Sequence, residues 1–578
     1  MVLLSFLYYI QPNETPQPQK IHRGRLRGTK NNKGDWNTMK KLLALMLALM
    51  LTLGCVSFAA AEEKVTLKLW VLDSLRIEDW NTNLMTNWLE EQGGFELEFE
   101  AFPSAEDYMT KINMALSVGN IEDLPDVILT QANLDDYVWE WAQAGAILPL
   151  TEYYADPALA ENINKAIERC GTNYPQQITS PDGNIYGVAT LNQSYTNENP
   201  DKAWYSQKWL AELGMDLPTT PDELYEVLKA VKNTDLNGNG KADEIGLAGT
   251  FNANASYNNW FNYLMNAFVY AGDANYRFVE NGVLDLAYTT EDWKEGLKWM
   301  KKCFDEGLIM PETLTMDNVQ FENLTNADED LMFMQIWFTS LGGNDTNGRG
   351  TDYKIMAPLK DTKDNLQYAS FVESVANIRM VVTANCKNPE AAFKLGDLMS
   401  SEYIGISQRW GLEGQEWDYC ANLEGADEKY APTVAGFPLS IVTYHDGDWW
   451  GGDKVTNESW RQVGPFVRHY GIVCGWAVDP SATIDHGTMV NEGATLYQEN
   501  GFNPEENIPK LIFTEDEAEI VGETAATLKS YVDEMTASFL TGTVDIDAGW
   551  DAFQEELEAI GIAEYREVLQ TVYDRMYK

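Results

Sequence analysis

The sequence predicts an α/β fold built on a mostly parallel sheet flanked by helices. Alternating apolar residues at 65–72 and again at 95–102 indicate two strands, and apolar residues at helical spacing lie between them. A short apolar run at 124–130 follows a second helical segment and indicates a buried strand. This order of strand, helix, strand, helix, strand implies parallel pairing with right-handed crossovers.

Three residues lie at the carboxyl ends of these strands, namely Trp70, Asp73 and Gln131. Open parallel sheets bind ligands beyond the carboxyl ends of their strands. We therefore expect these three side chains to contribute to a ligand site.

The rest of the chain continues the alternation of elements. A turn and strand are expected at 182–189, and a helix begins with Thr220 as cap and Pro221 at its first position. Further helices are expected at 260–270 and 293–304, a strand at 332–338, and strands within 370–382. Near the end, one helix closes at Gly542, and Asp547 is the expected cap of another.

The loop at 235–244 carries the sharpest chemical signal. Asp235, Asn237 and Asn239 alternate, Gly240 permits a tight turn, and Asp243 and Glu244 follow. Calcium takes six to eight oxygen ligands, and alternate residues of such a loop supply them, with the Lys241 carbonyl as a further ligand. The spacing departs from an EF-hand loop at its twelfth position, where Gly246 replaces the closing Glu. We expect Ca²⁺ bound here in a structural role, although Asn/Gly-rich turns also form without metal.

Charge and aromatic content limit the classes of ligand. The net charge of −48 disfavours binding to nucleic acid and to anionic membrane surfaces. A polyanionic ligand would need a local basic patch, and the sequence contains no basic run after its first residues. The 19 tryptophans have two interpretations, a large core or a pocket of flat rings that suit the faces of sugars.

The beginning of the chain has two unusual parts. Residues 1–38 are expected to be a non-native upstream extension, with translation starting at Met39. Residues 39–61 have the charged start, apolar run and small-residue end of an export signal peptide. Cleavage after Ala61 is preferred to lipidation at Cys55. Five cysteines remain in the processed chain, and we expect buried free thiols, with a Cys420–Cys474 disulfide as the alternative.

Several motifs occur in the order found in a known family. The chain resembles the family 1 extracellular solute-binding proteins of bacterial ABC importers, in the subgroup that resembles oligosaccharide and alginate binders. The motifs are a Gly-x-x-Leu-Pro-Leu segment (145–150), Asp-Gly-x-x-Tyr-Gly (182–187), Pro-Thr-Thr (218–220), Asp-Glu-Leu (222–224), Asn-Gly-Asn-Gly-Lys-x-Asp-Glu-Ile (237–245), Asn-Pro-Glu-Ala-Ala (388–392) and a Trp-Gly-x-Glu-Gly segment (410–414).

The resemblance implies a two-lobed fold with hinges and a central ligand cleft. Lobe 1 would comprise 62–189 and about 366–412, and lobe 2 would comprise 190–365 and about 413–578. The resemblance and the polar pattern add six candidate ligand-binding residues to the three at the strand ends. They are Asn192, Tyr195, Trp337, Glu373, Trp410 and Trp417.

The implied function is non-catalytic. The protein would be exported, work as a monomer, close on a carbohydrate and deliver it to a membrane permease. Two alternatives stay open: a binder of a peptide or another small solute, and a secreted glycoside hydrolase, which would need two carboxylates across a cleft. The sequence does not identify the sugar.

Overall fold

The computed structural model describes residues 64–578 except 75, 118–120, 252–258, 341–347, 362, 364, 435, 445–454, 479–485 and 502–505. The predicted upstream extension (1–38), the signal peptide (39–61) and Cys55 lie outside the described residues. Within the described part, no helix is both long and apolar enough to cross a bilayer.

The described strands are numbered in chain order. They are β1 (Val65–Leu72), β2 (Phe95–Phe102), β3 (Val127–Leu129), β4 (Val188–Asn192), β5 (Ala203–Ser206), β6 (Ile245–Ala248), β7 (Arg277–Glu280), β8 (Val283–Leu286), β9 (Met332–Ile336), β10 (Tyr353–Met356), β11 (Asn377–Val382), β12 (Trp417–Tyr419), β13 (Ile441–Thr443), β14 (Val467–Arg468) and β15 (Trp476–Val478).

The α-helices are numbered in the same way. They are α1 (Leu84–Gly93), α2 (Ala105–Ser117), α3 (Asp135–Gln143), α4 (Thr151–Ala155), α5 (Glu161–Cys170), α6 (Tyr195–Glu198), α7 (Gln207–Leu213), α8 (Pro221–Lys232), α9 (Trp260–Met265), α10 (Glu291–Asp305), α11 (Asn318–Thr325), α12 (Pro389–Met399), α13 (Glu402–Trp410), α14 (Ala426–Lys429), α15 (Tyr470–Val473), α16 (His486–Glu499), α17 (Glu515–Thr541), α18 (Ile546–Ile560) and α19 (Ile562–Tyr577).

Capping residues fix several helix ends. The Thr220 side chain accepts a hydrogen bond from the Glu223 main-chain N–H, so α8 begins as predicted. Helix α17 ends at Gly542, as predicted, with that glycine in the left-handed conformation (φ 75°). The predicted cap Asp547 is wrong. Asp545 caps α18 by accepting from the Ala548 N–H, so Asp547 lies in the first turn.

The first sheet has six strands in the order β14-β4-β11-β3-β1-β2. Strand β1 is parallel to β2 and to β3, and β14 is parallel to β4. Strand β11 is antiparallel to both of its neighbours, β3 and β4. The predicted parallel sheet is confirmed for β1–β3, and the chain returns twice more to complete it.

The second sheet has four strands in the order β10-β5-β9-β6. Strands β6 and β9 are parallel, whereas β5 is antiparallel to β9 and to β10. This sheet is therefore mixed, which differs from the mostly parallel sheet expected for each lobe. A smaller sheet, β12-β13-β15, lies late in the chain.

Each large sheet has its own hydrophobic core. The core of the first sheet contains Leu69 and Ile128, and also Trp460 and Val467. The core of the second sheet contains Trp260 and also residues of the last helices, such as Leu569. Residues 460–467 thus pack with the first sheet, although the predicted lobe 2 included them. The exact lobe boundaries stay a prediction.

All five described cysteines are buried free thiols, as predicted, and the alternative disulfide between Cys420 and Cys474 is not formed. Burial raises the pKa of both thiols, to about 11 for Cys420 and about 12 for Cys474.

Candidate functional site

Polar residues meet at one edge of the first sheet, called here the carboxyl edge. The parallel strands β1, β3, β4 and β14 end there, and the antiparallel strand β11 begins there. Asp73 and Gln131, predicted from strand ends, and Asn192, predicted from the resemblance, therefore lie along the same edge. Arg379 and Arg468, which the sequence analysis did not select, lie on the same edge at the start of β11 and the end of β14.

The predicted edge residues have different surroundings. Exposed Asp73 accepts a hydrogen bond from the Trp80 indole N–H at 3.1 Å. Gln131 donates its side-chain amide to the Arg461 carbonyl at 3.4 Å. The side-chain oxygen of Asn192 is buried and has no hydrogen-bond partner among the described residues. Of these three residues, Asn192 thus has an acceptor that receives no hydrogen bond from the described residues.

A cavity of about 440 Å³ lies next to Asn192 and is called here the Glu198 cavity. Its polar lining includes Gln177, Gln193, Glu198, Glu373, Ser374 and Tyr470, and its aromatic lining includes Phe371, Tyr573 and Tyr577. Tyr573 and Tyr577 lie on α19, which packs in the core of the second sheet, whereas Gln193 directly follows β4 of the first. The cavity therefore draws its walls from elements of both cores.

Two predicted residues belong to this cavity or touch its wall. Glu373 lines the cavity, and desolvation raises the pKa of its carboxyl group. The Tyr195 ring lies 4.9 Å from the ring of Tyr470, which lines the cavity. Hydroxyl, amide and carboxyl groups beside aromatic rings are the groups that bind a polyhydroxylated solute.

Glu198 was missed in the sequence, where no motif distinguishes it from the many other acidic residues. Its side chain is buried and accepts hydrogen bonds from the Ser374 hydroxyl at 2.7 Å and from the Tyr470 hydroxyl at 2.5 Å. Burial raises the pKa of its carboxyl group, although these two hydrogen bonds act in the opposite direction. A buried, hydroxyl-bonded carboxylate therefore forms one wall of the cavity.

Two segments connect the two sheets beside this cavity, 193–202 between β4 and β5 and 357–376 between β10 and β11. The Val372 N–H donates to the Glu198 carbonyl at 2.8 Å, and the Asn199 side chain donates to the Ser370 carbonyl at 3.3 Å. Helix α16 joins them, since the Gln498 side chain donates to Asn199 at 3.0 Å. These segments thus form one hydrogen-bonded bridge between the sheets.

The four predicted tryptophans are buried in hydrophobic clusters, so of the two interpretations given for the tryptophans the core describes their placement in this structure, and their part in ligand binding stays a prediction. Their exposed fractions are 4% for Trp70, 6% for Trp337, 4% for Trp410 and 0% for Trp417. Trp337 stacks on Phe321 at 4.7 Å, and Trp417 donates its indole N–H to the Gly411 carbonyl. The hydrophobic gain from burying a large ring favours this placement.

The loop at 235–244 folds around its own oxygen atoms. Asp235 accepts from the N–H groups of Gly238 and Gly240, both at 2.8 Å. Asn237 and Asn239 accept from the N–H groups two residues further on. Gly238 and Gly240 have φ values of 77° and 87°, which L-residues adopt rarely, so both glycines are required for the turn.

The donor set of this loop fits a calcium ion. Glu244 is buried; its Oε1 accepts from the Leu236 and Asn237 N–H groups, while its Oε2 is buried and accepts no hydrogen bond from the described residues. Asp243 and Glu329 both receive hydrogen bonds from the Asn239 amide, at 3.1 and 3.2 Å. Across the described residues, this loop included, the His, Cys, Asp and Glu side chains form no group of three already arranged to hold a metal ion.

Residues 78–403 match the model of the bacterial extracellular solute-binding protein family. The chain belongs to this family. This solute-binding protein is 26% identical over 527 residues to the fructooligosaccharide ABC transporter substrate-binding protein FusA of Streptococcus pneumoniae, covering 89% of the chain and 91% of FusA. It is also 26% identical over 248 residues to the polygalacturonan/rhamnogalacturonan-binding protein YtcQ of Bacillus subtilis, covering 41% of the chain and 43% of YtcQ.

Solved structures confirm the two-lobed α/β fold of this solute-binding protein. An HMO-binding, ABC-transporter-associated solute-binding protein of Bifidobacterium longum infantis superposes with a TM-score of 0.72 at 20% identity, covering 89% of this chain and 99% of the other. An EF-hand mutant of FusA in complex with fructo-nystose gives 0.67 at 22% identity, with 88% and 99% coverage. The alginate-binding protein AlgQ2 without calcium ion gives 0.62 at 20%, with 89% and 99% coverage.

Proposed function

We propose that this protein captures an oligosaccharide outside the cytoplasmic membrane and delivers it to the permease of an ABC importer. The observation that carries the proposal is the relation to FusA along 89% of the chain, together with a polar cavity walled by elements of both cores. Gln193, Glu373 and Ser374 offer donors and acceptors to sugar hydroxyls. The protein acts as a binder without catalysis.

Ligand capture proceeds by closure of the two lobes around the bridge. A ligand that contacts both cores has a higher affinity for the closed form and shifts the equilibrium towards it. The bridge segments 193–202 and 357–376 absorb the backbone rotation, and the Glu198 cavity is the place where the ligand contacts both sides. The lobes are organised around the two large sheets.

Calcium holds the loop at 235–244 in its folded form. Asp235, Asn237, Asn239, Asp243, Glu244 and the Lys241 carbonyl are the proposed ligands, and the buried Oε2 of Glu244 supports this assignment. The ion neutralises carboxylates that repel one another and thereby stabilises the second core. The protein is exported by the signal at 39–61 and released by cleavage after Ala61.

The test is calorimetry on the chain from Glu62, with calcium present, against kestose, human-milk oligosaccharides, pectin fragments and a peptide mixture. We expect micromolar or tighter binding of one carbohydrate class, with no release of shortened sugars. Binding of peptides alone would overturn the carbohydrate proposal. The appearance of new reducing ends would identify a glycoside hydrolase instead.

A further inference from the structure

Three arginines from distant parts of the chain gather at the carboxyl edge and form what is called here the arginine cluster. It consists of Arg379, Arg409 and Arg468. The guanidinium carbons of Arg379 and Arg468 lie 5.5 and 4.4 Å from the ring centre of Phe466. Those of Arg409 and Arg468 lie 5.2 and 5.9 Å from the ring centre of Trp410. Two aromatic rings thus hold three cations together.

Arg468 lies at the centre of the cluster and is only 2% exposed. Its Nη2 donates to the Gln462 side-chain oxygen at 3.2 Å, while its Nε and Nη1 are buried and form no hydrogen bond with the described residues. The Nε of Arg379 is also buried and forms no hydrogen bond with the described residues. Neither Arg379 nor Arg468 forms an ion pair with a carboxylate of the described residues. Burying charge in this way is costly unless another group pairs with it.

The surrounding charges do not neutralise the cluster. Asp135, at the start of α3, attracts Arg379 but forms an ion pair with Lys510 at 2.7 Å. Burial, together with repulsion by Arg409 and Arg379, holds the pKa of Arg468 well below its usual value. Arginine nonetheless keeps its proton in proteins, so the cluster keeps its positive charge.

Further unsatisfied groups and an unusual backbone surround Arg468. The Gln462 side-chain nitrogen and the Ser407 hydroxyl are buried without hydrogen-bond partners in the described part. Arg461 and Gln462 have φ values of 51° and 67°, in the left-handed region that non-glycine residues seldom occupy. Such backbone conformations concentrate at ligand sites. Asn192, with its unsatisfied oxygen, is the strand partner of Arg468.

We propose that the arginine cluster binds an anionic group of the captured carbohydrate, so that the ligand is an acidic oligosaccharide. This inference rests on the proposed carbohydrate-binding function. Guanidinium groups pair with carboxylates and sulfates through two parallel hydrogen bonds, and the free N–H groups of Arg468 and Arg379 supply such donors. The fold therefore assembles the basic patch that the sequence lacks as a continuous run.

The net charge of −48 does not prevent this binding. Salt screens charges over about 8–10 Å at physiological ionic strength, so distant surface carboxylates act weakly on a buried anion. The nearby guanidinium groups act at contact distance. The two chemical sources of the anion, a uronic-acid carboxylate and a sulfate ester, are separated by the experiment.

The experiment compares matched pairs of ligands by calorimetry on the chain from Glu62 with calcium. Trigalacturonate is compared with its fully methyl-esterified form, oligomannuronate with its methyl ester, and a sulfated disaccharide with its desulfated form. We expect one acidic ligand to bind at least tenfold more tightly than its neutral partner. A preference within one of the two uronate pairs identifies the anionic group as a carboxylate, and a preference within the sulfated pair identifies it as a sulfate.

Variants test the cluster directly. Arg468→Gln is expected to weaken binding of the acidic ligand at least tenfold and to change binding of its neutral partner less than twofold. If Arg468→Gln does not fold, the affinities for the acidic ligand and for its neutral partner are compared in Arg379→Gln, which changes a partly exposed position. The matched control is Arg575→Gln. Arg575 lies on the last helix, where it forms an ion pair with Glu517, and its replacement is expected to leave both affinities unchanged.

The outcomes separate the two proposals. Binding of neutral oligosaccharides only, or equal affinity for both members of every pair, overturns the acidic-ligand inference and leaves the proposed function intact. Unchanged acidic binding in folded Arg468→Gln and Arg379→Gln also overturns it. Absence of binding to every carbohydrate, neutral or acidic, overturns the proposed function itself and the inference with it.

Discussion

The Ser374 hydroxyl donates to the buried Glu198 carboxylate at 2.7 Å and thereby joins the two segments that connect the sheets. A hydrogen bond to a charged acceptor contributes about 1.5–3 kcal/mol. We expect Ser374→Ala to lower the free energy of unfolding by an amount in this range, measured by urea titration. Ser374→Thr keeps the hydroxyl and serves as the control. Equal midpoints for Ser374→Ala and the wild type would contradict the importance of this bond.

Lys202 lies in the same bridge and is expected to make the free energy of unfolding depend on pH. The side chain is fully buried, and its ammonium group donates to the carbonyls of Thr196 and Asn199. Burial lowers its pKa from 10.5 to about 7, against the attraction of Asp201. Between these two pKa values the unfolded chain binds the proton more strongly than the folded chain does, so this residue makes stability rise with pH above about 7.

The measurement compares wild type with Lys202→Met from pH 7.5 to 8.5. One pH unit corresponds to about 1.4 kcal/mol for one proton. We therefore expect the stability of the wild type, relative to the variant, to rise by about 1 kcal/mol across this range. The difference between the two proteins cancels the contribution of the buried thiols. Lys208→Met, at an exposed position on α7, should give parallel curves, and parallel curves for Lys202→Met would refute the lowered pKa.

The five buried thiols predict low chemical reactivity. Burial raises the pKa of Cys170 and Cys303 to about 12 and that of Cys386 to about 11, so little thiolate is present at neutral pH. The folded chain from Glu62 should react with Ellman's reagent at none of these thiols within minutes, and at all five in guanidinium chloride. A reading of three thiols after denaturation would reveal a disulfide.

Calcium removal predicts a loss of stability through the loop at 235–244. An ion present at 100 times its dissociation constant stabilises by about 2.7 kcal/mol, so chelation should lower the melting temperature measurably. Glu244→Gln should remove most of this calcium-dependent difference, because it replaces the buried carboxylate. Glu226→Gln, at an exposed position on α8, should retain it. An unchanged melting temperature after confirmed metal loss would exclude a stabilising site.

Replacing Trp337 by alanine is expected to lower the free energy of unfolding strongly and to change ligand affinity little. Its ring is buried and stacks on Phe321 at 4.7 Å. Replacing such a ring by alanine costs about 3–5 kcal/mol. Trp337→Phe should preserve the stack and lose less stability. If Trp337→Phe is as stable as wild type but loses sugar affinity more than tenfold, the ring serves the ligand.

The sequence was most informative where one local pattern decides one local structure. Thr220 with Pro221 determined the start of α8, and the alternation at 65–72 determined β1. Asp73 and Gln131 were selected because the carboxyl ends of parallel strands meet at one edge of a sheet, whereas Asn192 was selected from the family resemblance. For Trp337 and Trp417 the sequence left core and cleft open, because a tryptophan has the same sequence signature in both.

Site residues that are brought together by distant segments of the chain could not be predicted from local sequence patterns. Arg379 and Arg468 are separated from β4 by many residues, and only the pairing of β11 and β14 brings them to the edge. Glu198 acquires its role from Ser374 and Tyr470, both distant in sequence. Pairing between residues so far apart in the chain produces no local sequence pattern from which their proximity could be predicted.

The late position of β14 has a consequence for biosynthesis. Val467 and Arg468 cover the outer side of β4, so a nascent chain that has not yet reached them has an open, hydrogen-bonding strand at the border of its first sheet. Such borders recruit other chains and promote aggregation. Pairing between distant segments is also slow to form. Chains that end before residue 467 should therefore aggregate more readily than the complete polypeptide.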